Sequence, residues 1–243
     1  IFNDNLTPLI NMYESFLSND IEKTIKYIKN RINELKLSKQ NLQGYNELRL
    51  QYNKTKEPLD LFVLVAFSFN HQIRYNNKHH FNVPFGKGRS SFNIMMEKNL
   101  IQFIKQIKNI NATFYSLDFN SFNFDTLTKN DFVYCDPPYL ITTGSYNDGK
   151  RGYKGWTEKE EKELLQKLDE LNNKDVKFGL SNVIEHKGKT NEILNEWIKN
   201  NDNYFTNYLN MHYKNSNYQT KNKKSTEVFI TNYQPENKQI KIF

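Results

Sequence analysis

One short motif constrains the fold of this chain more than any other feature: Asp136-Pro137-Pro138-Tyr139, which follows the apolar run Phe132–Cys135. The run has the length and composition of a strand. Two consecutive prolines must end that strand, because neither ring nitrogen can donate a hydrogen bond to a sheet. The chain therefore carries a carboxylate and an aromatic ring at the carboxyl end of a strand, where α/β sheets place their ligands.

This motif contains the groups that methylation of a purine amine requires. The lone pair of the amine is delocalised into the ring, and accepting both N–H hydrogens makes the nitrogen more reactive. Asp136 offers a carboxylate acceptor and Pro137 a backbone carbonyl, and the prolines hold both rigidly. Tyr139 supplies a face on which an extruded base can stack. We therefore predict catalytic roles for Asp136, Pro137, Pro138 and Tyr139; the alternative is an ordinary strand-ending turn with a surface aspartate.

Strand and helix patterns alternate through the C-terminal half of the chain. Thr157 and Glu160 form a capping box that opens a helix with an apolar stripe of leucines. The other predicted elements are strands at Thr113–Leu117, Phe132–Cys135 and Val176–Leu180, a helix at Thr190–Asn200, and a closing hairpin of Tyr204–Tyr213 with Thr226–Tyr233. This alternation is typical of an α/β fold in which helices cover both faces of a mostly parallel sheet.

The N-terminal half of the chain has mainly helical patterns. Ile1–Asp4 is interpreted as the end of a strand, after which Thr7 and Pro8 are expected to cap a helix. A second helix is predicted from about Ile21 to Leu37, where apolar residues recur at three- and four-residue spacing. Asp4 follows its strand where Rossmann-like folds place an acid for ribose hydroxyls; the alternative is a charge at a helix N-terminus.

One long span of the chain contains no acidic residue. It runs from Asp60 to Glu97, although the whole chain has 27 Asp and Glu residues. A surface that contacts phosphates requires such a gap, because a carboxylate there would repel the nucleic-acid backbone. The basic residues and histidines of this span are His71, Arg74, Lys78, His79, His80, Lys87 and Arg89. We expect the span to face a polyanion; the alternative is a solvated basic surface that reads no sequence.

The same span contains a hairpin signal. Ile73–Asn76 and Phe81–Pro84 flank the polar turn Asn77–His80. A two-stranded ribbon fits the major groove of duplex DNA, where Arg reads guanine and Asn or Gln can read adenine. Phe69, beside Asn70, can wedge between bases and help to extrude one.

The composition limits the partners and the compartment. With 34 Lys and Arg against 27 Asp and Glu, the net charge of +7 favours an anionic partner without choosing between DNA and RNA. A single cysteine and histidines without metal-ligand spacing predict no metal site. There is no signal peptide and no apolar run of about 18 residues, which predicts a cytoplasmic protein without membrane contact. The chain begins at Ile1, without Met, which predicts that a segment upstream is missing.

Five segments carry a resemblance to a known family: Tyr52–Thr55, Phe69–Asn76, Asn82–Lys87, Tyr134–Thr142, and Lys177–Val183 followed by Glu185-His186. In this order they resemble the Dam-type DNA adenine-N6 methyltransferases, and most of all the phage-encoded branch. The resemblance implies a Rossmann-like methyltransferase sheet with helices on both faces and an inserted, mainly helical target-recognition domain that bears a β-hairpin. It implies a catalytic domain built from residues 1–17 and 111–243, with the recognition domain at 18–110.

The resemblance also implies the ligands of the chain. S-adenosyl-L-methionine would be the methyl donor, double-stranded DNA the partner, and the adenine of GATC the flipped target. By position, Asp4 would hold the ribose hydroxyls of the donor, and Asp118 and Phe119 would flank its adenine. Asp136 would lie at both the donor and the target base.

For the DNA, Arg74 matches the guanine-reading arginine of the family, and Pro84 matches a residue at the thymine methyl group. Phe69 and Asn70 match the pair that fills the space left by the flipped base, and Tyr146 matches an aromatic residue near the active site. The residues expected to contact DNA are Phe69, Asn70, Gln72, Arg74, Asn76, Pro84, Lys87 and Arg89.

Departures from the family pattern leave alternatives open. GATC readers commonly have a larger apolar residue at the position of Gln72, so the outer base pair is expected to be read differently. The lysine-containing N-terminal segment and the Phe-x-Gly-x-Gly loop, whose glycines let the backbone approach the donor, are absent. The alternatives are a DNA-binding relative with impaired catalysis and an RNA base-amine methyltransferase, although the deep major groove of RNA excludes a ribbon.

The sequence constrains the oligomeric state, the biological role and the loop at residues 148–155 less closely. The protein is expected to be a monomer or a weak dimer on DNA, and the same chemistry serves both maintenance methylation and protection from a restriction nuclease. Residues 148–155, rich in glycine and lysine, are interpreted as a mobile loop over the pocket.

Overall fold

The computed structural model describes residues 1–142, 155–209 and 225–235, which fall into two compact units. The first unit contains residues 1–121, and the second contains the described residues from 122 onward. Within these ranges, no helix has both the length and the apolar composition needed to cross a membrane. Residues on both sides of position 17 share the core of the first unit, and the domain boundaries at 17 and 110 stay a prediction.

Helices and a two-stranded parallel sheet form the first unit. The two strands pair so that Phe2 lies opposite Phe114, and these rings stack at 5.4 Å between centroids. The elements are β1 (Phe2–Asn3), α1 (Thr7–Ser18), α2 (Ile21–Glu34), α3 (Leu42–Thr55), α4 (Pro58–Phe67), α5 (Ile94–Asn109) and β2 (Phe114–Tyr115). The predicted strand at the N-terminus is thus confirmed, and β2 is shorter than predicted.

Helix α1 begins differently from the prediction. Thr7 is the first residue of the helix rather than its cap, and no side chain caps this helix. Asp4 instead accepts a hydrogen bond from the backbone N–H of Leu6 at 2.7 Å, in the turn between β1 and α1. Helix α2 is capped by the carboxylate of Asp20 and ends at Glu34, earlier than predicted. It stops there because Lys36 adopts a left-handed backbone conformation, with φ at 49°.

Helix α4 lies at the centre of the first unit. It packs against α1, α2 and α3, and side chains such as Leu61 and Leu64 are fully buried. Each such burial contributes about 1.5–3 kcal/mol. Asp60 is buried as well, and Arg31 donates to it from Nε at 2.8 Å and from Nη2 at 3.1 Å. The acid that precedes the acid-free span is therefore neutralised inside the protein.

In its described residues, the second unit is a mixed sheet with two α-helices. Its elements are β3 (Phe132–Cys135), α6 (Glu158–Asn173), β4 (Lys177–His186), β5 (Lys189–Thr190), α7 (Glu192–Lys199), β6 (Phe205–Leu209) and β7 (Ser225–Thr231). The strand order is β3-β4-β7-β6, with β5 paired to β4. Helices α6 and α7 pack against each other and against β4. Among the described residues of this unit, these helices cover one face of the sheet.

The expectation of a mostly parallel sheet is wrong for this unit. Only β3 and β4 run parallel among its described pairs, whereas β7 is antiparallel to both β4 and β6. The predicted pairing of the last two strands is confirmed, but β7 lies between β6 and β4. Its side chains Val228 and Ile230 are fully buried, which is the reason that it occupies an interior position instead of an edge.

A buried carboxylate joins α6, β4 and α7. Glu161 is 1% exposed and accepts hydrogen bonds from Trp156 Nε1 at 2.6 Å, Asn182 Nδ2 at 3.0 Å and Asn191 Nδ2 at 2.8 Å. The predicted capping box of Thr157 and Glu160 opens α6 one turn before this contact and is confirmed. Local capping therefore starts the helix, and Glu161 joins it to the sheet.

Candidate functional site

The Asp-Pro-Pro-Tyr motif lies where the sequence predicts it, directly after β3. Asp136 is exposed and Tyr139 half-buried, and the hydroxyl of Tyr139 donates to Asp136 Oδ1 at 3.0 Å. The backbone N–H and the hydroxyl of Thr142 both contact the carbonyl of Tyr139, at 3.1 and 3.0 Å. We call Asp136–Tyr139 the Asp136 corner. Its carboxylate has a fixed orientation, and Pro137 and Pro138 donate no backbone hydrogen bond beside it.

The thiol beside the Asp136 corner, that of Cys135, is not suited to act as a nucleophile. Burial, together with the negative charge of Asp136, raises the pKa of the Cys135 thiol to about 12. A thiol with that pKa is protonated at neutral pH, and only a thiolate is an effective nucleophile. Burial also raises the pKa of Tyr139, and Asp136 raises it further. Tyr139 therefore acts as a hydrogen-bond donor to Asp136 and carries no charge.

The structure brings together the acids that the resemblance assigns to the methyl donor. Strands β1 and β2 run parallel, so Asp4 and Asp118 follow them at the same edge of the sheet. Asp118 accepts from the backbone N–H of Asn120 at 3.1 Å, and a 3₁₀ turn begins at Phe119. We call Asp4, Asp118 and Phe119 the donor edge. Asp4 is exposed and the other two are half-buried.

Asn3 holds the donor edge together, and the sequence offered no signal for it. Its Nδ2 donates to the carbonyl of Leu117 at 3.0 Å, and its Oδ1 accepts from the N–H of Leu117 at 3.1 Å. One side chain thus binds both backbone groups of the residue before Asp118. These partners are 114 positions apart in the chain, beyond the reach of any local pattern.

On the assignment of the donor edge that the resemblance implies, Asn3→Ala should weaken binding of S-adenosyl-L-methionine by about fivefold to tenfold, because two hydrogen bonds that hold this edge are lost. Titration calorimetry with the free donor measures this change. Asn5→Ala, in the exposed turn after Asp4, is the matched control and should leave the dissociation constant unchanged. Equal affinities of the Asn3 and Asn5 variants would contradict the assignment of the donor edge.

Within the acid-free span, residues 68–89 form a loop, which we call the 68–89 loop, and its first residues, 69–72, are exposed. Asn70 and His71 both have left-handed backbones, with φ at 55° and 53°. Such conformations cost about 1–3 kcal/mol each and persist only where neighbouring contacts impose them. Here Phe69 N–H donates to the carbonyl of Pro84 at 2.8 Å, and His71 Nδ1 contacts the carbonyl of Val65 at 3.0 Å. These two contacts therefore hold the exposed first residues of the 68–89 loop in a defined backbone conformation.

Two residues predicted to contact DNA meet where the two ends of the 68–89 loop lie side by side. The guanidinium of Arg89 lies 4.2 Å from the centroid of the Phe69 ring, a cation–π contact. This contact combines an aromatic ring and a positive charge. The other exposed members of the predicted set are Asn70, Gln72, Pro84 and Lys87.

The expected ribbon is present only as a short antiparallel loop. Tyr75 and Phe81 form one isolated bridge, and Asn76 Oδ1 accepts from the N–H groups of Lys78 and His80 at 2.9 and 3.0 Å. The carboxamide oxygen of Asn76 therefore holds the turn. A second isolated antiparallel bridge joins Ser68 and Phe85, so the pairing is interrupted instead of continuous.

The structure thus forms three groups from the predicted residues: the Asp136 corner in the second unit, and the donor edge and the 68–89 loop in the first. In the described ranges, no group of three or more His, Cys, Asp or Glu side chains has the arrangement of a metal site. Tyr146 lies outside the described residues, as does residue range 148–154 of the predicted mobile loop.

The chain matches curated proteins along most of its length. It is 47% identical to the modification methylase StsI of Streptococcus sanguinis over 234 residues. This aligned region covers 96% of this chain and 36% of that protein. It is 47% identical over 233 residues to the type II methyltransferase M.FokI of Planomicrobium okeanokoites, with the same coverage of 96% and 36%. A DNA adenine methylase of Haemophilus influenzae is 34% identical over 99 residues, 39% of this chain and 33% of that enzyme.

These matches show to which family the chain belongs, but not to which branch of that family. The chain spans about a third of the length of the two proteins that it matches at 47% identity. The DNA adenine methylase matches a shorter part of the chain than the two relatives at 47% identity do, so kinship with the Dam branch stays a prediction. Residues 1–216 match the family described as D12 class N6 adenine-specific DNA methyltransferase. This chain belongs to the D12 class of N6 adenine-specific DNA methyltransferases.

Proposed function

We propose that this protein transfers a methyl group from S-adenosyl-L-methionine to N6 of an adenine that is flipped out of double-stranded DNA. The observation that carries the proposal is the Asp136 corner, where Tyr139 fixes the carboxylate of Asp136 at 3.0 Å directly after a strand. Membership of the D12 class supports the same chemistry.

The corner acts on the amine by accepting its hydrogens. The hydroxyl of Tyr139 already donates to Oδ1 of Asp136. In the proposed reaction, Oδ2 of Asp136 accepts one N6 hydrogen and the carbonyl of Pro137 accepts the other. Both acceptors are held before the reaction, so little reorganisation is needed when positive charge develops on the nitrogen. The proton leaves after the transfer, and no strong general base is required.

The donor edge is the proposed site of S-adenosyl-L-methionine, which supplies an electrophilic methyl group. Asp4 is proposed to accept from the ribose hydroxyls, and Asp118 and Phe119 to contact the adenine of the donor. The half-buried ring of Phe119 suits an aromatic base, and both aspartates lie at the carboxyl ends of parallel strands, where such ligands bind.

The 68–89 loop is the proposed surface for duplex DNA. Phe69 and Asn70 would fill the space of the flipped base, and the charge of Arg89 on the Phe69 ring would face the phosphates. GATC is the proposed target, with the outer base pair dependent on Gln72. Because the relatives at 47% identity are named as a modification methylase and a type II methyltransferase, we place the protein in restriction–modification rather than in maintenance methylation.

The proposal is tested by methyl incorporation from labelled S-adenosyl-L-methionine into defined duplexes. We expect label in a GATC duplex, recovered as N6-methyladenine after digestion, and none in a duplex whose target adenine is replaced. Equal labelling of both would reject the target sequence, and preferred labelling of structured RNA would reject DNA as the substrate. DNA binding without any detectable donor binding in calorimetry would instead identify a relative with impaired catalysis.

A further inference from the structure

Helix α3 holds the backbone of the 68–89 loop with its side chains. Tyr45 hydroxyl donates to the carbonyl of Val83 at 2.9 Å in the buried interior. Eight residues further along, Asn53 contacts Phe81. Lys56, the left-handed residue that ends the helix, donates from Nζ to the carbonyl of His79 at 2.7 Å. One helix therefore contacts three backbone positions of the loop.

The contact of Asn53 replaces a neighbouring strand. Its Nδ2 donates to the carbonyl of Phe81 at 3.0 Å, and its Oδ1 accepts from the N–H of Phe81 at 2.7 Å. A carboxamide presents an N–H donor and an oxygen acceptor side by side, so it can satisfy the C=O and the N–H of one residue together. Without it, the backbone groups of Phe81 would lose their partners in a part of the protein where that ring is 1% exposed.

A continuous line of contacts runs from Asn53 to Arg74. Phe81 is bonded to Asn53, and the next residue, Asn82, donates its N–H to the carbonyl of Arg74 at 3.0 Å. In return, Arg74 donates from Nε to Asn82 Oδ1 at 2.9 Å and from Nη2 to the carbonyl of Asn82 at 2.8 Å. Asn82 therefore holds one edge of the guanidinium, and the edge formed by Nη1 and the second Nη2 hydrogen faces away from it.

The remaining edge of Arg74 matches the pair of acceptors that a guanine presents in the major groove. Its direction depends on where Asn82 lies, and Asn82 follows the residue that Asn53 holds. We propose that Asn53 is a positioning residue for base discrimination: through Phe81 and Asn82 it aims the guanidinium of Arg74 at a guanine. This inference rests on the proposed function of the 68–89 loop.

The first step of the test defines which base pair Arg74 reads. Binding of the wild-type protein and of Arg74→Ala to a set of duplexes with single base-pair changes is measured by fluorescence anisotropy at one salt concentration. The position whose preference disappears in Arg74→Ala is the Arg74 position, and a discrimination of tenfold or more is expected there.

The second step uses Asn53→Asp, which keeps the shape of the side chain and its acceptor for Phe81 N–H. It replaces the donor with an anionic oxygen that faces the Phe81 carbonyl. We expect discrimination at the Arg74 position to fall about tenfold, with preferences at the other positions unchanged. In the Arg74→Ala background, Asn53→Asp should cause no further loss at that position.

Matched variants separate this role from a general one. Gln43→Glu adds the same charge to the exposed face of α3 and should leave every preference unchanged. Asn82→Ala interrupts the line nearer to Arg74 and should reproduce the loss at the same base pair, which keeps the test valid where Asn53→Asp does not fold. A loss spread evenly over all positions would overturn the inference, since it indicates a structural role alone.

The inference and the proposed function fail in different ways. A wild-type protein that binds all duplexes equally would overturn the proposed sequence reading by the 68–89 loop and the inference with it, whereas methyl transfer is tested separately by incorporation of label. A wild-type protein with a clear preference, together with a folded Asn53→Asp variant that keeps the full preference at the Arg74 position, would overturn only the positioning role of Asn53.

Discussion

Replacing Asp136 by asparagine should reduce methyl transfer at least about 100-fold while leaving the affinity for duplex DNA unchanged. The substitution keeps the size of the side chain. It replaces one carboxylate oxygen with an NH₂ group, which cannot accept a hydrogen bond from the N6 amine of the target adenine. Because Asp136 is exposed at the end of β3, and an asparagine oxygen can still accept from the half-buried Tyr139, the fold should be preserved. Single-turnover rates at saturating donor measure the chemical step, and anisotropy measures DNA binding.

Tyr139→Phe is the matched control for this result. It keeps the aromatic face and removes the hydroxyl that donates to Asp136 Oδ1. We expect a smaller loss of about tenfold, the size of one hydrogen bond that only orients the carboxylate. If Asp136→Asn retains the wild-type rate, the Asp136 corner is not the site of methyl transfer.

Replacing Glu161 by alanine should lower the free energy of unfolding by about 2–5 kcal/mol, the largest stability effect that we expect in this protein. The carboxylate accepts from Trp156, Asn182 and Asn191, and both asparagines are 1% exposed. Without Glu161 their amide hydrogens would remain in the interior without an acceptor. Asn191 also caps α7 through Leu194 N–H, so the helix start would be affected as well.

Chemical denaturation of the variant, followed by circular dichroism, measures this change. Glu158→Ala removes an exposed carboxylate from the first turn of the same helix and should cost less than about 1 kcal/mol. Glu161→Gln should fall between the two, because the amide keeps one acceptor oxygen and turns an NH₂ group toward the donors. Equal unfolding energies for the Glu161 and Glu158 variants would show that the buried contacts contribute nothing.

The sequence was sufficient to predict an element or a site residue where the interactions that determine it lie within a few residues of the chain. Strand β3 has the predicted bounds because Pro137 and Pro138 end it from within the chain. The start of α6 was predictable for the same reason, since Thr157 and Glu160 cap it reciprocally. The motif at Asp136 carries its own orienting contact three residues away, at Tyr139. The residues of the Asp136 corner could therefore be named without a structure.

The tertiary structure alone decided which distant segments hold the donor edge, the 68–89 loop and helix α6 in place. Asn3 on Leu117, Glu161 on Asn182 and Asn53 on Phe81 are contacts between polar side chains and remote parts of the chain. An asparagine or glutamate gives no periodic signal, and its partner is determined by how elements pack. The pairing of β7 with β4 was not predicted for the same reason, because it depends on which apolar segment is buried in the middle of the sheet.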